Sequence, residues 1–461
     1  MTTGLFLFHR DLRITDNIGL IKADTECSKL YTCFLFTPEQ VGDQNKYRSS
    51  NAIQFMIESL AELSQTIMGR GGKLIVLYGK QSDVLPEVLE NLNVDKLFYN
   101  RDYSPYALRR DKQKRAICKK MGKECVEYDD YYLYKPGSVL TGSNTAYKKY
   151  TPFYNAVVDM EVERPSRYRM MNLTYTTKSL QHTISLDDAN TRFTENNPDI
   201  LVHGGRKMAL NKLFRAIKEQ HSYEECRDFF IERTTHLSAY IKFGCVSIRE
   251  VYHMFKKTFG DRNGINRELI WREFFAHVLY AYPEVVGESY QIKFQTIDWH
   301  NNRAMFDKWK NGTTGFPIVD ACMRQLNTVG YMHNRGRMTV ASFLIKTLLI
   351  DWRWGEKYFA QCLTDYDIAS NNGNWQGISG TGVDMKPYFR DMNPWIQSAK
   401  YDKNAEYIKK WIPELKDVMP KDIHKWYDKT VRANYEKGTY IEPIVDYTQR
   451  KKLMLKMYEN A

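Results

Sequence analysis

The chain has 461 residues, 43% hydrophobic and 26% charged, the balance of a water-soluble globular protein and enough length for two cores. Its 67 Lys and Arg against 55 Asp and Glu leave a net charge of +12. That excess favours a polyanionic partner such as nucleic acid, although a lysine-rich composition gives it too. The run ASFLIKTLLI is broken by Lys346 and Thr347, so no bilayer-spanning helix is expected. MTTGLFLFHR has too short an apolar core for a signal peptide. Eight scattered cysteines without a C-x-x-C pair read as reduced thiols of an intracellular protein and give no metal site.

In chain order, LFLFHRDL, KLYTCFLF, KLIVLYG and KLFYNRD are short apolar runs separated by helical stretches such as SNAIQFMIESLAELSQTIM. Alternating strand and helix predicts an α/β domain with a parallel, doubly wound sheet over residues 1–130. MGRGGK lacks the Gly-Lys-Ser/Thr ending of a phosphate loop and reads as a helix C-cap feeding a strand. From about 131 to 200, Pro, Ser, Thr and Asn replace periodicity, which predicts a connector packed across the surface. Residues 201–461 show amphipathic helical periods and predict an all-α domain.

The segment from Asp351 to Arg390 is dense in chemistry. Trp352 and Trp375 flank Asp365, Asp367 and the amides Asn371, Asn372 and Asn374, in a stretch read as half helix and half loop. Such a set suits a planar redox cofactor, and equally a core with a polar loop. Glu268, Trp271 and Arg272 share a helix face, which could stack a base or make an ordinary salt bridge beside a core Trp. Asn334 and Met338 are also spaced i, i+4, and Arg337 could pair with Asp365. Thr234, Thr235 and Ser238 stand where a helix begins, fit to hold phosphates or simply to cap.

Together DLRITDN, TTHLSAYIKFG, ELIWREFF, GFPIVDACMRQL, YMHNRGRM, ASFLIKTLLIDWR, DYDIASNNGNWQ and PYFR resemble the photolyase/cryptochrome family over almost the whole chain. Within it the chain looks most like the class I cyclobutane pyrimidine dimer photolyases, which split the dimer by electron transfer from photoexcited FADH⁻. The resemblance implies FAD held in the helical half, with Thr234, Thr235, His236, Leu237 and Ser238 around its pyrophosphate. Tyr223, Arg272, Arg337, Asp365, Asp367 and Asn371 would line the rest, with Asn371 near flavin N5. Trp375, Trp352 and Trp309 match a chain of electron-carrying tryptophans, with Trp309, beside lysines, as its exposed end.

For the substrate, the resemblance implies a dimer swung out of DNA into a pocket over the flavin. Trp271 would stack on it, Glu268 would hydrogen-bond it, and Asn334 and Met338 would complete the wall. Arg227, Lys149, Arg390 and Lys400 would grip phosphates. Met338 stands where enzymes acting on (6-4) photoproducts use histidine, so the cyclobutane dimer is expected. The chain ends soon after the helical domain, which favours repair over the alternative, a cryptochrome-type blue-light receptor. Three positions depart from the family pattern. Gly377 replaces the second aromatic of a Trp-Gln-Trp motif, as though single strands were preferred in the manner of DASH cryptochromes. Ile265 and Tyr331 replace tryptophans by the flavin. Tyr106-Ala107 replaces the Asn-Glu of a folate site, so a folate antenna is not expected, and another antenna or none is left open. A monomer is expected.

Overall fold

The computed structural model describes residues 1–232, 234–384 and 387–461. Five strands, β1 (Thr3–Phe8), β2 (Lys29–Phe36), β3 (Leu74–Tyr78), β4 (Lys96–Asn100) and β5 (Glu124–Tyr128), form one parallel sheet in the order β3-β2-β1-β4-β5. Successive side chains on a strand point to opposite faces. Accordingly Phe6, Phe8, Phe34 and Phe36 pack with the helices Ile18–Glu26 and Ser50–Met68. Leu5, Leu7, Cys33 and Leu35 pack with Gln81–Asn91 and Pro105–Lys120. The sheet is therefore doubly wound. The order reverses between β1 and β4, the switch point of the sheet, where His9 and Arg10 leave the carboxyl end of β1.

The MGRGGK stretch is a helix end, with Gly69 as C-cap and Gly71 at φ +82° before β3. Residues 131–200 include two helices, Tyr150–Val157 and Leu186–Phe193, and touch the sheet through bridges Leu30–Leu173 and Leu77–Thr183. From Arg206 onward the described residues are helical, and none of the helices is long and apolar enough to cross a membrane. The segment read as half loop holds two helices, Trp352–Cys362 and Ile368–Ser379.

The DLRITDN motif joins the two halves. Arg13 reaches Asp130 at 2.7 Å, and Arg249 of the helical half reaches Asp130 at 2.8 Å and Asp16 at 3.0 Å. All four side chains are buried, so losing one charge would leave its partners uncompensated.

Glu273, fully buried, accepts from Leu133 and Tyr134 N–H and from Arg272 Nη1 at 3.2 Å. Burial pushes its carboxyl up to about 7 against those donors. A raised acid pKa means that folding holds the proton more tightly than the unfolded chain does, so stability falls as pH rises from about 4.5 to about 7. Glu273→Gln, compared with wild type by thermal melts, is expected to be the more stable at pH 8, on the order of 2 kcal/mol. The difference should vanish below pH 4.5. Parallel pH curves for the two proteins would contradict this.

Candidate functional site

The helix Ile368–Ser379 is the hub, packed against Trp352–Cys362, Gly264–Ala281 and Asn334–Ser342. Two glycines permit the close approach. A Cβ on Gly355 would sit 2.2 Å from the Trp375 ring, and one on Gly373 2.1 Å from Phe275. Residues distant in sequence thus share one wall.

Asp367 caps the hub helix, its side chain accepting from Ser370 N–H at 3.1 Å. Burial acts to raise its pKa, but Arg10 and Arg272 outweigh it and hold the carboxyl at about 2. Asp365 receives Arg337 Nη2 at 2.8 Å and Ser238 Oγ at 2.6 Å, which outweigh burial and keep it ionised. The expected Arg337–Asp365 pair is thus present. Asn371 turns its amide N–H groups to the backbone carbonyl and carboxylate of Glu356, at 3.1 and 2.9 Å.

The Thr234–Ser238 stretch differs from a phosphate-binding helix start. The helix that follows, Ser238–Lys242, has five residues, too few for an appreciable dipole. Thr234 Oγ1 lies 3.3 Å from Tyr331 Oη, Thr235 Oγ1 accepts from Leu237 N–H at 3.4 Å, and His236 adopts φ +52°. Any phosphate here would meet hydroxyls and loop backbone.

The residues present fit FAD as to chemistry. Asp365 Oδ1 and Arg272 Nη2 are buried without a hydrogen-bond partner, an acceptor and a donor left for a polar ring edge or ribose. Among the described residues no His, Cys, Asp or Glu cluster could hold a metal.

On the expected substrate wall, Trp271 lies flat against Tyr150, with ring centroids 3.5 Å apart and planes 5° apart. Tyr150 is fixed behind it, its hydroxyl donating to the Arg267 carbonyl and its N–H to Asp384, each at 2.9 Å. Asn334 Nδ2 approaches Met338 Sδ at 3.9 Å, and Met338 borders a cavity of about 450 Å³ with Arg335, Lys346, Phe389 and Arg390.

Arg227, expected at a phosphate, has its guanidinium ion-paired with Glu268 in the protein without DNA. One expectation is corrected. Trp309 is not an exposed end: it is fully buried, its indole N–H on the Val340 carbonyl at 3.0 Å. It does meet Trp375, with centroids 6.4 Å apart. Trp352 is buried with its Nε1 unpaired. Tryptophans nearer the surface are Trp299 and Trp354, both half-buried. Of the other basic candidates, Lys149 is 3.7 Å from Asp384, Lys400 lies over Tyr401, and Arg390 is exposed. Of the substituted positions, Ile265 is buried in the core and Tyr331 faces Arg337 at 5.3 Å. Tyr223 is half-buried beneath the Arg227 guanidinium. Sequence reasoning missed Arg10, Tyr150, Glu273 and Glu356, whose partners lie far along the chain.

A parallel-sheet domain joined to a helical domain with such a wall defines a flavin-binding, photolyase-type protein. Residues 4–167 match the family model for DNA photolyase, and 265–460 that for the FAD binding domain of DNA photolyase. The chain is 34% identical to the deoxyribodipyrimidine photo-lyase of Halobacterium salinarum, covering 99% of each. It is also 34% identical to that of Escherichia coli, over 100% of this chain and 99% of the relative. The chain belongs to the DNA photolyase family. Among solved structures it resembles an archaeal photolyase from Sulfolobus tokodaii with two FAD molecules (TM-score 0.88, 38% identity, all of both chains). A bacterial class III photolyase from Agrobacterium tumefaciens superposes at TM-score 0.91 with 31% identity, over 100% of this chain and 97% of that one. A Synechocystis cryptochrome superposes equally well at 27% identity, covering 99% of each.

Proposed function

We propose that this chain is a light-dependent DNA-repair enzyme, a deoxyribodipyrimidine photo-lyase that splits cyclobutane pyrimidine dimers. The observation that carries the reading is the polar wall of Asp365, Asp367, Arg337 and Asn371, set in the same helix cluster as the Glu268–Trp271 face. When bound, FAD in its reduced form supplies the electron that light drives into the dimer. The chain's own residues bind, orient and shield. Arg337 and Arg272 place positive charge beside Asp365 and Asp367, so the wall tolerates an anionic ring. Asn371 offers an amide, which has no acidic proton to release.

Trp271, backed by Tyr150, gives the lesion one flat face. Glu268 serves as hydrogen-bond partner to the lesion once Arg227 is drawn toward a backbone phosphate. In this reading the Arg227–Glu268 pair is the resting state of two DNA-binding groups. Arg390, exposed beside Met338's cavity, and Lys149 and Lys400 supply sequence-independent contacts. We divide the chain into an α/β domain (1–130), a connector (131–200) and a helical catalytic domain (201–461), and propose a monomer acting inside the cell.

The test is irradiation of the reduced, purified protein with a thymine-dimer oligonucleotide. Loss of the dimer under blue light is expected. A flavin-loaded protein that repairs neither single nor double strands would favour a photoreceptor.

Trp375, in ring contact with Phe359 and Trp309, is the residue from which we expect electrons to refill the oxidised cofactor. Trp375→Phe is expected to slow photoreduction at least tenfold (roughly, from the loss of one redox-active ring) while sparing repair by chemically pre-reduced enzyme. Transient absorption would check it. An unchanged photoreduction rate would remove Trp375 from the relay.

A further inference from the structure

Arg10 leaves the carboxyl end of β1 at the point where strand order reverses, and crosses into the helical half. Its Nη1 donates to Asp367 Oδ2 at 2.8 Å and its Nη2 to Tyr132 Oη at 2.7 Å, with Asp102 at 3.3 Å. The guanidinium lies 4.8 Å from the Tyr131 ring centroid and 5.5 Å from that of Tyr132. Arg272 lies 4.4 Å from the Tyr132 ring, so one tyrosine is shared by the two cations beside Asp367. Asp367 is therefore held from both sides: one oxygen caps the hub helix and the other is bound by a residue of the other domain.

We infer that Arg10 is a positioning residue of the cofactor site, fixing the Asp367 carboxylate in one orientation and offsetting its charge across the domain junction. The inference rests on the assignment of Asp367 to the flavin wall made above. A buried carboxylate facing an anionic reduced ring is repulsive unless a cation compensates it, and the repulsion is strong where water is excluded. Arg10 supplies that compensation together with Arg272. The flavin wall is thus complete only when the α/β half is docked, and a residue just beyond the first strand takes part in a site built otherwise from the helical half.

The experiment uses the full-length protein, stripped of cofactor and titrated with FAD, followed by spectroelectrochemistry of the reloaded protein. Arg10→Gln is expected to weaken FAD binding at least about tenfold, the worth of one charge-assisted hydrogen bond, and to lower the flavin reduction potential. Arg10→Lys should restore most of the potential, because charge is kept while the forked geometry is lost. In an Asp367→Asn background, where no carboxylate is left to orient, Arg10→Gln should weaken FAD binding less than it does in the wild type. Unchanged affinity and potential in Arg10→Gln would overturn the inference, as would an equal loss of affinity in the Asn background. If Arg10→Gln fails to fold by circular dichroism, Arg10→Lys is read by FAD affinity instead: loss of the fork to Asp367 and Tyr132 should weaken binding severalfold with the potential little changed, and wild-type affinity would overturn the inference. Failure of the wild-type protein to take up any FAD would instead remove the flavin reading itself.

Discussion

Glu268→Ala is expected to retain FAD yet lose repair quantum yield severalfold at saturating substrate. The cause lies in what the side chain meets. In the resting protein it is paired with Arg227, and burial raises its carboxyl above the ordinary glutamate value although Arg227 opposes this. Ionised, such a glutamate accepts from the imide N–H of a pyrimidine; protonated, it donates to the pyrimidine carbonyl that gains negative charge when an electron arrives. Alanine removes that stabilisation and frees Arg227, so DNA affinity should hold steady or rise while yield falls. Glu268→Gln, which keeps a donor and an acceptor, should sit between. The measurement is yield per absorbed photon with dimer-containing oligonucleotide, beside a binding titration. Equal yields for wild type and alanine would take Glu268 out of the mechanism.

The second large effect should come from adding rather than removing a side chain. Gly377 lies in the hub helix, and among the described residues a Cβ built there meets within 4 Å only the Asp384 carbonyl, at 3.9 Å. The substrate wall we propose has an aromatic layer on the Trp271 side, and glycine leaves this position without one. Gly377→Trp is expected to fold and to tighten binding of dimer-containing duplex about tenfold, since base–aromatic stacking is worth roughly 1–3 kcal/mol. Helix propensity favours the change as well, glycine costing close to 1 kcal/mol in a helix interior. The gain should be greater for duplex than for single strands, because flipping is where extra stacking is needed. Weaker binding with retained FAD would show that the space at Gly377 is used by the substrate itself.

The architecture was legible where one residue type dominates a short run. β1 to β4 announce themselves as apolar runs because both faces of the sheet are covered. β5, ECVEY, went unread because its residues are half-buried or exposed, with glutamates at its first and fourth positions breaking any apolar run. The i, i+4 pairs were legible for the same reason, as helix geometry fixes them. Trp309 shows the limit. Lys308 and Lys310 beside it suggested exposure, but neighbours in sequence point about 100° apart on a helix, so the lysines reach solvent while the indole faces the core. Pairs such as Arg227–Glu268, Arg10–Asp367 and Asn371–Glu356 join residues that no periodicity relates, and only the fold brings them together.

The stacked tyrosine behind the indole that we propose faces the lesion belongs to the stretch we divide off as a connector, and its N–H is tied to Asp384, beyond the hub helix. That stretch is therefore no spare tether. Shortening it, swapping it between relatives or nicking it near position 150 would tilt a ring some 120 positions downstream, and the damage would register as lost grip on DNA in a protein that still folds and still holds its pigment.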